Sequence, residues 1–121
     1  GIKMSNDIQR IQSNERLSRV VVHNGIAYLS GVTANDTTTG VMAQTSDVLG
    51  KIDAYLELAG TDKSRLLSVQ IWLRDIDRDF DDMNKAWAQW IPEGSAPARA
   101  TGEGRLAGAD ILVEMIVTAA I

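Results

Sequence analysis

The chain has 121 residues, no cysteine, two prolines and ten glycines; 45% of its residues are apolar and 23% charged, with 12 basic against 16 acidic side chains and a net charge of −4. That composition describes a soluble globular chain read as one domain over residues 1–121, and it excludes a disulfide scaffold, a thiolate metal site and a cysteine nucleophile. The acidic balance, without a basic cluster, disfavours general nucleic-acid binding.

Gly1-Ile2-Lys3 ahead of Met4 reads as a leftover of cloning and is set aside from fold reasoning. The amino end lacks the charged region, apolar core and small-residue cleavage site of a secretory signal, so a cytoplasmic location is the expectation. Ile8 to Gln12 is short and half apolar, which fits an edge strand. Arg19 to His23 and Ile26 to Gly31 flank Asn24-Gly25, a strong hairpin signal because both central residues of a type I′ turn need positive φ. Thr33 to Gly40 is polar and aperiodic, a surface loop.

From Val41 to Ala59 the positions Val48, Ile52, Tyr55 or Leu56, and Ala59 recur at steps of three and four, the stripe of an amphipathic helix that Gly60 stops. Asp62 to Arg65 is a turn. Leu67, Val69, Ile71 and Leu73 then alternate with Ser68, Gln70, Trp72 and Arg74, which is strand periodicity. A second helix is predicted from about Asp79 to Ile91 on Phe80, Met83, Trp87 and Trp90 or Ile91, with acids favourable at its amino end. Pro92 to Ser95 ends it, Pro97 opens an extended stretch through Gly104, and Ile111 to Ile121 is the last strand, too short and too interrupted by Glu114 to span a bilayer.

Three strands, a helix, a strand, a helix and two strands, with no linker between them, give an α+β or α/β sandwich with two helices on one face of a mixed sheet. Val20, Val22, Leu29, Ile71, Trp72, Val113, Met115 and Val117 are too many for two helices to cover, so apolar side chains are expected on the open face, closed by a symmetric oligomer.

Glu114 interrupts an apolar strand and must find a donor or be protonated. In Ala98-Arg99-Ala100-Thr101-Gly102-Glu103, alternation puts Arg99, Thr101 and Glu103 on one face. An antiparallel pairing of this stretch with the last strand, turning near Leu106 to Gly108, would place Glu114 opposite Arg99 or Thr101, so that Arg99, Thr101 and Glu114 share one small site. One reading of it is a carboxylate-binding pocket, a guanidinium fork gripping the substrate while Glu114 holds a water; the other is a structural ion pair. Other candidates point to structural roles. His23, the only histidine, sits at a hairpin shoulder, so a histidine triad or multi-histidine metal site is absent. Trp72, Trp87 and Trp90 fit core or interface better than base stacking; Asp75, Asp77, Asp79, Asp81 and Asp82 lack calcium-loop spacing; Gly102-Glu103-Gly104 lacks the companions of a phosphate loop.

Ser30-Gly31 ending a strand, Gln44-Thr45 opening the long helix, Leu58-Ala59-Gly60 closing it, Phe80-x-x-Met83-Asn84-x-x-Trp87 and Ala96-Pro97-Ala98-Arg99 together resemble the reactive intermediate deaminase (Rid, YjgF-like) family from about Ile8 onward. The sharpest likeness is Pro97-x-Arg99 with Glu114 fifteen residues further on. The resemblance implies a chorismate-mutase-like α+β fold and a homotrimer with a central barrel and clefts between subunits. It implies catalytic roles for Arg99 and Glu114, with Arg99, Thr101, Gly31 and Leu17 binding a small carboxylate substrate, and no metal or organic cofactor. The implied reaction is hydrolysis of 2-imino or 2-enamino acids to 2-oxo acids with release of ammonia; the alternatives are a non-catalytic trimeric binder of 2-oxo acids and, less favoured by charge, an endoribonuclease. Leu17 and Thr101 stand where the best-studied branch carries an aromatic and a cysteine, and Val32 where it carries a glutamine, so the likeness is to a divergent branch.

Overall fold

The computed structural model of the chain describes residues 7–121, so the reading of Gly1 to Lys3 lies outside the described residues. Its strands are β1 (Gln9–Ser13), β2 (Ser18–His23), β3 (Ile26–Leu29), β4 (Val32–Thr33), β5 (Leu66–Leu73), β6 (Ala98–Glu103) and β7 (Val113–Ala120); its helices are α1 (Val41–Leu58) and α2 (Ile76–Trp90). One sheet runs β1-β2-β3-β7-β5-β6, with β4 also paired to β7. The α+β class and the two helices on a mixed sheet are as the periodicity implies.

Local chemistry explains most element boundaries. Asn24 and Gly25 take φ of 51° and 77° and turn β2 into β3. Gly60, at φ 83°, ends α1 with Gly60 N–H donating to Glu57 O (3.0 Å) and Thr61 N–H to Leu56 O (3.0 Å), the double bond of a Schellman cap. Asp75 caps α2 by accepting from Arg78 N–H at 3.1 Å, so the helix begins three residues before the predicted Asp79. A short 3₁₀ turn, Lys63–Arg65, replaces the plain turn before β5.

Three expectations are corrected. The β5 ladder carries a bulge between Leu66 and Ser68, which turns Leu66 into the core and leaves Leu67 exposed. Phe80 is 39% exposed, and Asp79, bonded through both carboxylate oxygens to Arg78 at 2.8 Å, takes the inner position beside Met83, Ala86 and Trp87. The open sheet face is also less crowded than composition suggests. Val20, Leu29, Ile71, Val113, Met115 and Val117 are all buried beneath the helices, Val22 is half-buried, and Trp72 alone of the eight projects outward, at 37% exposure. The reason is parity: Ile71 and Trp72 are neighbours and necessarily face opposite ways. Val21, Tyr28, Ile26 and Ile116 join Trp72 on the open face through their register partners.

The connections decide where the site residues go. β5 and β6 are parallel, joined through α2 as a crossover, and β5 lies between β6 and β7. The expected β6–β7 hairpin does not form. Its predicted turn is instead a loop from Gly104 to Leu112 that carries the chain over the end of β5. Arg74, just past β5, holds that loop: its Nε donates to Ile111 O at 3.0 Å, its Nη2 to the carbonyls of Arg105 and Gly108, and its backbone N–H to Leu112 O at 3.0 Å.

Candidate active site

Arg99 lies opposite Val69 and Thr101 opposite Ile71, and both partners are buried under the helices, so Arg99 and Thr101 belong to the helix-covered face. Glu114 lies opposite Trp72, which lies opposite Gly102; these belong to the open face. Between Arg99 and Glu114 stand two strand steps, about 10 Å, and three residues of strand, about 10 Å more, with the sheet itself in the way. The sequence expectation of one site shared within a chain is therefore overturned. It assumed a hairpin, and β5 occupies the place that the hairpin needs.

The predicted residues fall into three groups. The first is Glu114 with Gly31. β3 pairs with the carboxyl half of β7 and β4 with its amino half, and the register slips by one residue across Ser30-Gly31. At this slip the Glu114 carboxylate lies against Gly31 so closely that a Cβ there would fall on its Oε2. Gly31 thus leaves the space that the carboxylate occupies in this position, and it does so by its missing side chain, since its φ is not in the left-handed region. Thr33 flanks Glu114 on one side and Trp72 on the other. The Trp72 ring lies over Gly102, where a Cβ would stand 3.1 Å from it, and in ordinary contact range of Gly104, so the first glycine makes room for the ring. Gln70, Ile71, Trp72, Ala100, Thr101 and Gly102 line a trough of about 270 Å³ between β5 and β6. Glu114 has no hydrogen-bond or ion-pair partner among the described residues.

The second group is Arg99 with Thr101. The Arg99 guanidinium lies over the Trp87 ring, Cζ 5.3 Å from the centroid, and it too lacks a hydrogen-bond or ion-pair partner among the described residues. Partial burial holds its pKa below the ordinary guanidinium value, although a guanidinium remains charged in a protein. Thr101 Oγ1 is buried without a hydrogen-bond partner. Such an orphan calls for an acceptor. Glu103, next on this face, is spoken for: its Oε1 accepts from the backbone N–H of Ile76 at 3.1 Å, at the amino end of α2.

Leu17 stands alone. It is 39% exposed in the β1–β2 turn, where Asn14 Oδ1 accepts from the N–H groups of Arg16 (2.8 Å) and Leu17 (2.9 Å). Four strand steps, roughly 19 Å, separate β2 from β6 in one chain.

Sequence reasoning assigned no role to two supports of the Glu114 region. Gln44 is fully buried; its Nε2 donates to Thr39 O (3.1 Å) and Asp110 O (2.9 Å), and its Oε1 accepts from Leu112 N–H (3.0 Å), two residues before Glu114. The signal was present, because Gln44 is a polar residue at helical spacing between Val41 and Val48 on a buried stripe. Arg74 carried no comparable signal. The remaining candidates are structural: His23 Nε2 accepts from Asn24 Nδ2 at 3.1 Å at its hairpin, Asp82 pairs with Lys85 at 3.5 Å, and no metal-binding cluster of His, Cys, Asp and Glu occurs among the described residues. No helix among them is long and apolar enough to cross a membrane.

Comparison with known proteins supplies the broader setting. Residues 7–121 match the family model described as endoribonuclease L-PSP. A RutC family protein of Haemophilus ducreyi is 42% identical over 114 residues, covering 94% of this chain and 97% of the relative. A solved YjgF family member from Neisseria meningitidis superposes with a TM-score of 0.93 at 38% identity, covering 97% of each chain. A Rid family protein of unknown function from Yersinia pestis superposes with a TM-score of 0.81 at 30% identity over 90% of each chain.

Proposed function

Because this chain belongs to the endoribonuclease L-PSP family, which includes the proteins called YjgF, RutC and Rid, we propose that it hydrolyses reactive 2-imino and 2-enamino acids to 2-oxo acids and ammonia. The observation that carries the reading is Arg99, a charged guanidinium with no protein anion to neutralise it. A planar fork of N–H donors matches a carboxylate at two points, and the buried Thr101 hydroxyl two residues away offers a third donor.

Glu114 supplies the second element. An unpartnered carboxylate pressed against Gly31 can hold a water and take its proton. The enamine tautomerises to the imine, water adds through oxygen to C2, and a proton goes to the nitrogen. The C–N bond of the resulting carbinolamine then breaks, releasing ammonia as the hydroxyl loses its proton and becomes the 2-oxo group. Arg99 fixes the carboxylate throughout, so that C2 stays before the water.

Since Arg99 and Glu114 stand on opposite faces of one sheet, they work together only across an interface between copies. A homotrimer that places the open face of one copy against the β6 edge of the next meets this need. It also brings the distant Leu17 turn within reach of a neighbour's Arg99 as an apolar wall. The proposed chemistry calls on no metal or organic cofactor.

Generating 2-iminobutanoate in situ and following its loss tests the reading. Arg99→Ala should lower kcat/KM by the equivalent of about 2 to 5 kcal/mol, and unchanged acceleration would remove the proposal. The separation of Glu114 from Arg99 within a chain favours one second reading, a binder of 2-oxo acids without turnover. Glu114→Gln discriminates: 2-oxobutanoate binding should persist under either reading, whereas only an enzyme has turnover to lose. The family's endoribonuclease description gains less support from a chain of net charge −4 whose lone histidine sits at a hairpin shoulder.

A further inference from the structure

We propose that Trp87 is the positioning residue for Arg99, presenting the guanidinium by its face so that its donor edge stays free for the substrate carboxylate; this rests on the functional reading above.

Two arginines show the alternative ways of holding a guanidinium. Arg78 on α2 is tied by Nε and Nη2 to the two oxygens of Asp79 at 2.8 Å each, so its fork is occupied and its charge compensated. Arg99 has its Cζ 5.3 Å from the centroid of Trp87 and no carboxylate. An indole attracts a cation through its negative π face and offers the five N–H donors no carboxylate or other lone-pair acceptor. Arg99 is therefore oriented without being neutralised.

The ring is itself well fixed. Trp87 is buried on α2, and Trp90 packs against it with centroids 5.4 Å apart and planes at 55°. Trp90 Nε1 donates to Asp53 Oδ2 on α1 at 3.0 Å, and Lys63 Nζ lies 5.3 Å from the Trp90 centroid. A cation thus lies against each member of the aromatic pair. Of the two, Arg99 is the one that supplies the proposed anion grip. The seat of this guanidinium is thus a ring of the neighbouring helix and not a side chain of its own strand.

The test compares Trp87→Met, which fills space without a π face, with Trp87→Phe, which keeps a weaker one. Calorimetry with 2-oxobutanoate and turnover of 2-iminobutanoate are read on the full chain, with thermal melts confirming the fold. For Trp87→Met, Kd and KM should rise about three- to tenfold while kcat stays within about twofold, and Trp87→Phe should recover much of the loss. In an Arg99→Ala background, Trp87→Met should add no further loss of affinity, because its effect runs through Arg99. Wild-type affinity in Trp87→Met, alongside lost binding in Arg99→Ala, overturns this proposal and leaves the functional reading intact. Wild-type behaviour of Arg99→Ala overturns both. Should Trp87→Met fail to fold, Trp87→Leu, which also lacks a π face, takes its place, and a Kd equal to wild type overturns the assignment.

Discussion

Glu114 stands on an interior strand, with β4 bonded to one side of it and β5 to the other, its carboxylate against the bare backbone of Gly31. Arg99 stands on β6, the last strand in the sheet order, and is oriented by one aromatic ring from a helix. The acid is located by main-chain ladders and by a loop that Gln44 and Arg74 tie to the rest of the fold. The arginine is located by side-chain packing. Two charged groups of one proposed reaction are thus held by supports of different stiffness. Damage to the first should appear as lost stability or lost turnover, and damage to the second as weakened binding.

The largest effect expected from breaking this contrast is at Gln44. Gln44→Met keeps the volume but leaves Thr39 O, Asp110 O and Leu112 N–H without their partner, which should cost about 2 to 4 kcal/mol in urea unfolding. The remaining folded protein should still bind 2-oxobutanoate at Arg99. A loss below about 0.5 kcal/mol would mean that the 110–112 segment does not need its anchor, and the contrast would fail.

Next in size is Gly31→Ala. The added methyl cannot coexist with the present position of Glu114 Oε2, so the carboxylate must swing away or the Ser30-Gly31 bulge must open. If Glu114 positions the water as proposed, a displacement of about 1 Å is expected to lower kcat about 100-fold, with 2-oxobutanoate affinity little changed. Equal losses in kcat and affinity would show that the two halves are mechanically one.

These two positions also show what the sequence made legible. Gly31 and Gln44 were visible as parts of a family pattern, and the helices, the Asn24-Gly25 turn and every long strand followed from period and punctuation, because those signals are local. Strand order is not local. Alternation correctly placed Arg99, Thr101 and Glu103 on one face, yet nothing within residues 98–121 reveals that β5 separates β6 from β7. The hairpin inference failed there, and the single-chain Arg99–Glu114 pair failed with it. The count of apolar residues was right in its conclusion and wrong in its members: apolar side chains do remain on the open face, but of the eight named only Trp72 projects there, because parity decides the face.

The smallest effect expected is at Thr101, and it probes the arginine half alone. Thr101 Oγ1 is buried and unpaired in the free chain, so Thr101→Val removes a hydroxyl that contributes no internal hydrogen bond there. Losing such a group from a buried position should leave stability unchanged or raise it by up to about 1 kcal/mol, the reverse of the usual cost of deleting a buried hydroxyl. If the hydroxyl donates to the substrate carboxylate beside Arg99, the same substitution should raise the Kd for 2-oxobutanoate about three- to tenfold. A variant at once steadier and weaker in binding identifies a polar group kept for a ligand. Loss of stability without loss of affinity would assign Thr101 to the fold and leave Arg99 as the sole anion contact of its face.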